Sequence, residues 1–427
     1  MTATVASASL IAAATSDAPA LAPLPLVRPW LTEAEACAAH DVVLSGQVMQ
    51  GPRVKAFEEA FARYTGAPHA LAVANGTAAL ILALKAVGVS AGDVVFTVSH
   101  SFIATANAVR ACGAEPVLLD IEVDGYNLDP ALLEAALAGC EARDGGLWYR
   151  DAARLAQHPA SPLSRATLPH GRLATVLAVH QIGMPCDIVR IVAAAARHGV
   201  PVVEDAACAV GSRIRVDDAW EPIGRPRGAI ACFSFHPRKL ITTGDGGMVT
   251  TDNAELYETM RLLRQHGMAG NPGTGALADS YPVTGYNYRL TDIQAAIGEI
   301  QLARLDEQVA ERRRLVDVYR AALEAETPYF IPEEPRDCYW NWQSLPLRFD
   351  PACIEQAALL RHLAAGGVAA KPGIMNAHQE VPYAGLWHLP HSEARLRDTV
   401  FVPLFHGMTD MDVMRVVGSL SAFAGPT

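Results

Sequence analysis

A single lysine follows a predominantly apolar run in the middle of the sequence. Residues 229–235 predict a buried strand, the next residues predict a turn, and Lys239 follows, before a glycine-rich bend at 244–247. Because burial disfavours the charged form of an amine, a lysine among apolar residues loses its proton more readily. A neutral amine attacks carbonyl carbons, so Lys239 is a candidate for Schiff-base chemistry. A lysine that only lays its stem along an apolar surface has the same local sequence, and other residues must decide.

Two further stretches place polar groups at the ends of apolar strands. Asp205 lies near the end of the apolar run that begins at Pro201, which predicts a carboxylate set deep in the fold. Gly76 and Thr77 lie between a short apolar strand and an apolar helix predicted at 78–87. Backbone N–H groups and a hydroxyl at such a helix start point at an anion. An ordinary helix cap has the same sequence pattern.

Apolar strands alternate with helical patterns along much of the chain. This alternation predicts an α/β fold, with a large domain whose mostly parallel sheet is flanked by helices on both faces. Residues 291–323 predict one long helix that begins with a capping box and leads to a smaller C-terminal α/β domain. The predicted strands are 70–74, 93–98, 115–121, 175–180, 201–206 and 229–235.

The length of 427 residues favours two packed units. We predict a disordered leader at 1–26, a large domain at 27–300, and a linking helix with a small C-terminal domain at 301–427. Residues 140–172 break the strand–helix alternation with charges and prolines, and we interpret them as a surface insertion with local helix. No Lys or Arg precedes Arg28, so the leader lacks the positive start of a secretory signal.

Composition limits the partners and the compartment. The net charge is −11, and no basic block exceeds the three arginines at 312–314, which argues against nucleic acid or an anionic membrane as a partner. No apolar run reaches the roughly 18 residues that span a bilayer. The eight cysteines show no metal-like spacing, so we expect no metal site and a reducing, cytoplasmic compartment.

Seven stretches carry a family resemblance. They are SGQVMQGPRVKAFEEAFARYTG (45–66), VANGTAALILAL (73–84), SFIATANAV (101–109), VHQIGMPCD (179–187), EDAACAVG (204–211), FSFHPRKLITTGDGGM (233–248) and GYNYRLTDIQAAIGEIQLARL (285–305). In this order they resemble the DegT/DnrJ/EryC1/StrS sugar aminotransferases. Those enzymes use pyridoxal 5′-phosphate (PLP) and have the aspartate aminotransferase fold, type I.

The resemblance implies catalytic roles for Lys239 and Asp205 and a cofactor contact at Cys208. Lys239 would form the internal aldimine with PLP and then move the proton between amino acid and ketone. Asp205 would keep the pyridine nitrogen of the cofactor protonated. Cys208 departs from the family, because relatives usually have Gln or His there to bond the phenolic oxygen of the cofactor. A thiol is a poorer donor, which puts the electronic tuning of the cofactor in question.

Other residues are implied as cofactor contacts. Gly76, Thr77 and Ser234 would hold the phosphate through amides and hydroxyls. Phe102 would lie against the cofactor ring, although an aromatic residue at a strand–helix junction is more often core packing. Asn287 would reach the phosphate of a neighbouring subunit, which makes the expected assembly a homodimer with shared active sites.

The resemblance predicts transfer of an amino group from an amino acid, with glutamate as the expected donor, to a nucleotide-linked keto-sugar. A free cyclitol ketone is an alternative acceptor. A PLP-binding regulator or inactive relative is an alternative from another class, and Cys208 keeps it open. The sugar dehydratases of the same family have histidine in place of the Schiff-base lysine, so Lys239 argues against that branch.

Overall fold

A seven-stranded sheet lies at the centre of the fold. The computed structural model of the chain describes residues 22–166, 170–270, 280–323 and 327–423. Its helices are α1 (Glu33–Ser45), α2 (Pro52–Thr65), α3 (Gly76–Ala86), α4 (Ala104–Ala111), α5 (Pro130–Ala138), α6 (Ala152–Ala156), α7 (Ile188–Ala196), α8 (Ala254–Arg264), α9 (Asp292–Ala303), α10 (Leu305–Leu323), α11 (Gln356–Ala365), α12 (Pro390–Arg397) and α13 (Asp410–Ser421). Its strands are β1 (His69–Val73), β2 (Val94–Val98), β3 (Glu115–Leu119), β4 (Glu141–Arg143), β5 (Gly146–Trp148), β6 (Leu173–Val179), β7 (Val202–Asp205), β8 (Arg213–Val216), β9 (Ala219–Pro222), β10 (Ile230–Ser234), β11 (Gly247–Thr251), β12 (Cys338–Tyr339), β13 (Leu345–Arg348), β14 (Lys371–Pro372) and β15 (Thr399–Val402).

The central sheet is mostly parallel. Its strand order is β1-β11-β10-β7-β6-β2-β3. The pairs from β10 to β3 are parallel, whereas β11 runs antiparallel to both β1 and β10. The predicted α/β class is confirmed. The strand β11 was not predicted from the sequence, and it lies between β1, the strand before Gly76, and β10, the strand before Lys239.

Both faces of this sheet are buried. In β2, Phe96 packs in one hydrophobic cluster and Val95 in another. In β6, Val176 and Leu177 divide between the same two clusters. Since successive residues of a strand point to opposite faces, two covered faces require apolar residues at consecutive positions. This is the physical reason for the continuous apolar runs in the sequence.

The residues after α10 form a smaller unit around the sheet β13-β15-β14. Its buried cluster includes Trp340, Leu345, Val400 and Val416. The short strand β12 instead pairs with β8, in the hairpin that follows the Cys208 segment. The C-terminal unit therefore contacts the region next to the predicted site.

Two segments differ from the sequence prediction. Residues 1–21 of the predicted leader lie outside the described residues, but the prediction of disorder was wrong for residues 22–26. Leu24 is buried and pairs with Val368, because an apolar side chain there completes the C-terminal core.

In the insertion at 140–172, of which residues 167–169 are not described, Leu147, Leu155 and Leu163 belong to the cluster on one face of the central sheet. The insertion is therefore anchored to the core.

The predicted long helix is two helices. α9 ends at Ala303 and α10 begins at Leu305, with Arg304 at φ −107° between them. The guanidinium of Arg304 lies 4.2 Å from the Trp30 ring centroid and pairs with Glu35, so tertiary contacts interrupt a sequence that lacks Gly or Pro at this point. Among the described helices, none is both long and apolar enough to cross a membrane.

Candidate active site

Lys239 and Asp205 lie at one edge of the central sheet. Asp205 is the last residue of β7, and Lys239 lies in the turn after β10. These strands are parallel neighbours, with Cys232 of β10 opposite Asp205. Because the carboxyl ends of parallel strands form the ligand-binding edge of α/β sheets, this topology brings the two predicted residues together.

The Lys239 side chain meets the thiol of Cys208. Lys239 Nζ donates to Cys208 Sγ at 2.9 Å. Phe235, Leu240 and Ile241 around the lysine are buried, as the sequence predicts. Lys239 itself is half-buried, so a protein contact holds the amine while the side chain keeps access to solvent.

Asp205 is buried, and its hydrogen-bond partners are neutral. Its Oδ2 accepts from Thr105 Oγ1 at 2.8 Å, and its Oδ1 accepts from the Ala207 N–H at 3.2 Å. Burial raises the pKa of Asp205 above its ordinary value, although these bonds and the nearby Lys239 act in the opposite direction. A carboxylate can accept further hydrogen bonds. A cationic ring nitrogen would be the partner that stabilises the charged form of Asp205.

Glu204, next to Asp205, has a structural role. Its Oε1 accepts from the N–H groups of Arg227 and Gly228, and its Oε2 lies 3.0 Å from His180 Nε2. The Cys186 N–H donates to His180 Nδ1, so the proton on this ring lies on Nε2 and points at Glu204. These bonds satisfy the buried pair and fix the end of β7.

Gly76, Thr77 and Ser234 are the residues predicted to form a phosphate cradle. Gly76 is the first residue of α3, and the Asn75 side chain accepts from the Ala78 N–H at 2.9 Å. A Cβ atom on Gly76 would lie 2.7 Å from the Ser234 Cβ. A glycine is thus needed here, because only it lets the helix start approach the Ser234 side chain. Thr77 is exposed and Ser234 is half-buried, so both hydroxyls keep access to a ligand.

The two other predicted contacts are at the surface of the single chain. Phe102 lies between β2 and α4, and 68% of it is exposed. Asn287 pairs through its backbone with Gln265, and Arg289 pairs with Val73 of β1. This arrangement places the exposed Asn287 at the outer edge of the sheet, beside the strand that leads to the cradle.

The sequence model of the DegT/DnrJ/EryC1/StrS aminotransferase family matches residues 29–421. The chain belongs to this family. As a DegT/DnrJ/EryC1/StrS enzyme it is an aminotransferase, and the fold and the family that the sequence analysis predicts are both confirmed.

Three relatives illustrate the match. The GDP-perosamine synthase of Caulobacter vibrioides is 36% identical over 374 residues, which cover 85% of this chain and 88% of the relative. The solved structure of the aminotransferase TlmJ from Streptoalloteichus hindustanus is 29% identical with a TM-score of 0.79, covering 93% of this chain and 98% of TlmJ. The structure of DesI in the presence of its TDP-sugar product is 29% identical with a TM-score of 0.77, covering 93% of this chain and 92% of DesI.

Sequence reasoning missed three polar residues of this aminotransferase. Thr105, in α4, bonds Asp205 and also lies 2.8 Å from the Ser101 hydroxyl. Asn341 and Gln343 come from the C-terminal unit and bond the backbone around Cys208 and Lys239. The available signal was the run YWNWQS, in which one amide residue lies between the two tryptophans and a second follows them, because buried polar side chains require specific partners.

Proposed function

We propose that this aminotransferase uses PLP, bound to Lys239, to transfer an amino group from an amino acid to a nucleotide-linked keto-sugar. The observation that carries the proposal is the position of the Lys239 amine. It lies 2.9 Å from Cys208 Sγ, at the same edge of the sheet as the buried Asp205. Glutamate is the proposed amino donor. The proposed compartment is the cytoplasm.

The residues present fit PLP. The cradle at Gly76 and Ser234 has the close backbone approach that a phosphate needs. The buried Asp205 has only neutral hydrogen-bond donors in the described residues, which leaves it free to pair with a protonated pyridine nitrogen. The exposed ring of Phe102 supplies an apolar surface for the cofactor ring.

PLP supplies a carbonyl that captures amines and a ring that accepts the electrons of a broken C–H bond. Asp205 would keep a proton on the ring nitrogen of the bound cofactor, because a negative carboxylate in a dry site favours the cationic form of its partner. The Lys239 amine would take a proton from the donor carbon and later deliver it to the acceptor. The Cys208 thiol contacts this amine on one side. It therefore restricts the directions from which the amine would take up or deliver the proton.

The names of the relatives support a nucleotide-linked acceptor, since one makes GDP-perosamine and another was solved with a TDP-sugar product. A diphosphate needs local positive charge in a chain of net charge −11. Arg53 is paired with Glu299 at 3.4 Å. Arg238 and Arg289 have no carboxylate within salt-bridge distance among the described residues, and they are the proposed sources of this charge.

The proposed assembly is a homodimer with shared active sites. Asn287 is exposed at the sheet edge beside β1. In the proposed homodimer it would contact the phosphate cradle of the second copy from this edge.

The test is a screen of purified protein against nucleotide-linked keto-sugars and free cyclitol ketones, with glutamate and other amino acids as donors. Turnover of a nucleotide-linked keto-sugar, with competitive inhibition by UDP, dTDP or GDP that weakens as salt rises, is the expected result. Turnover of a cyclitol ketone alone, without inhibition by any nucleotide, would replace the proposed acceptor and leave the roles of Lys239 and Asp205 intact.

A further inference from the structure

The segment 340–343 crosses from the C-terminal unit to the turns of the active site. It lies between β12 and β13, and its side chains are buried. Trp340 and Trp342 stack with ring centroids 3.8 Å apart, and Trp342 has φ 50°. This left-handed conformation is strained for a bulky residue and persists only where its surroundings enforce it. The strain indicates that the polar residues beside Trp342 are held in a required place.

One amide side chain holds the peptide groups on both sides of Lys239. Gln343 Nε2 donates to the Arg238 carbonyl at 2.5 Å, and Gln343 Oε1 accepts from the Leu240 N–H at 3.0 Å. The carbonyl belongs to the peptide plane before Lys239, and the N–H belongs to the plane after it. Because φ and ψ of Lys239 are the soft angles between these planes, Gln343 fixes the direction in which the lysine side chain leaves the backbone.

Asn341 holds the Cys208 turn from the same segment. Its Nδ2 donates to the carbonyls of Cys208 and Val210, each at 2.8 Å. Its Oδ1 accepts from the Gln343 N–H at 2.9 Å. Together with the contact of Lys239 Nζ to Cys208 Sγ, these bonds close a ring that fixes both turns relative to each other.

A buried arginine anchors the segment. Arg312 of α10 donates from Nη1 to the carbonyls of Trp342 at 3.1 Å, Gln343 at 3.3 Å and Leu404 at 3.0 Å. It has no carboxylate partner among the described residues, and burial lowers its pKa to about 10. A charged donor bonded to several carbonyls makes the backbone of the segment a rigid support.

We propose that Gln343 is a positioning residue for Lys239: it orients the lysine amine toward the cofactor carbonyl. The inference rests on the proposed function, because it takes Lys239 as the attachment point of PLP. If Gln343 only stabilised the fold, its loss would lower the melting temperature and leave the chemistry of Lys239 unchanged. A displacement of about 1 Å at a reacting group slows a reaction by as much as about a hundredfold. Rate measurements therefore distinguish a residue that positions Lys239 from one that only stabilises the fold.

The experiment compares Gln343→Leu with Gln356→Leu. Gln356 is a matched control, since its Nε2 donates to the carbonyls of Leu396 and Thr399, each at 2.7 Å, elsewhere in the C-terminal unit. PLP is added to cofactor-free protein, and covalent attachment is followed by stopped-flow absorbance. We expect Gln343→Leu to slow attachment and lower kcat about tenfold or more, with both KM values within about twofold. Gln356→Leu should lose stability and keep the attachment rate.

Gln343→Glu provides a second variant that keeps the acceptor for Leu240 and loses the donor to Arg238. Its attachment rate should lie between those of the unaltered chain and Gln343→Leu, and it carries the test alone if the leucine variant does not fold. Hydrogen exchange at the Leu240 amide should be faster in Gln343→Leu, which loses the acceptor, even without cofactor. In Gln343→Glu, which keeps it, the exchange rate should stay near that of the unaltered chain. An unchanged rate of PLP attachment in the folded variants would overturn the inference. An unaltered protein that never attaches PLP would instead contradict the proposed function.

Discussion

At the residue scale, the site contains a buried carboxylate, Asp205, whose hydrogen-bond partners among the described residues are neutral. Because the pKa of folded Asp205 is raised above its ordinary 3.8, the folded chain binds a proton that the unfolded chain has lost. Stability therefore falls as pH rises from 3.8 through the raised pKa. Asp205→Asn removes this loss, and we expect it to raise the free energy of unfolding of the cofactor-free protein by about 1–2 kcal/mol at neutral pH.

Thermal unfolding of cofactor-free protein as a function of pH measures this effect. The difference between Asp205→Asn and the unaltered chain should be present at neutral pH and shrink as pH falls toward the range where Asp205 is protonated. Transamination should be lost in the same variant, because an amide does not hold the ring proton. A neutral-pH stability below that of the unaltered chain would show that the carboxylate contributes to folding.

Cys208 allows a second test at this scale. A donor on the phenolic oxygen of the cofactor stabilises its negative charge, which is greatest after the neighbouring nitrogen has lost its proton. Replacing the weak thiol donor by Cys208→Gln should therefore lower the pH midpoint of the bound cofactor's absorbance change by about one pH unit. Spectroscopic titration measures the midpoint. A rise, or no change, would mean that residue 208 does not contact this oxygen.

At the element scale, the start of α3 must approach β10 closely. Gly76→Ala places a methyl group 2.7 Å from the Ser234 Cβ, so we expect a loss of about 1–3 kcal/mol in stability from overpacking and weaker retention of PLP. Gly418→Ala is the control, because its added methyl meets nothing within 4 Å on the exposed face of α13 and should stabilise by about 0.5–1 kcal/mol. Chemical denaturation and PLP binding titrations measure both. Unchanged PLP affinity in Gly76→Ala would argue against the cradle.

The sequence predicts some of these elements better than others. Residues 69–86 are predictable because a short apolar strand, a capping Asn75 and an apolar helix follow one another locally. β11 is short and is defined by its pairing with β10 and with β1, and β1 lies far away in the sequence. The break at Arg304 and the bonds of Gln343 likewise depend on distant partners. Local patterns therefore predict the strand ends near which Lys239 and Asp205 lie, but not the contacts that orient the side chains of these residues.

At the scale of the whole molecule, the proposed shared site predicts that two impaired chains complement each other. Lys239→Ala and Asn287→Ala chains, unfolded together and refolded, should form hybrids with one site that has both residues. Each variant alone should be impaired, the second by about 1–3 kcal/mol in PLP retention if a charge-assisted hydrogen bond is lost. Activity of the mixture above the sum of the two alone is the expected result. No recovery, or a fully active monomer in sedimentation, would contradict the shared site.

The most direct test of the central claim is where the cofactor is attached. PLP is bound to purified protein, the bond is reduced with borohydride, and the labelled peptide is identified by mass spectrometry. The expected label lies on Lys239, because its amine is at the sheet edge beside Asp205 and the phosphate cradle. In Lys239→Ala the label should disappear while PLP still binds without a covalent bond. A label on another lysine, or one that persists in Lys239→Ala, would contradict the account.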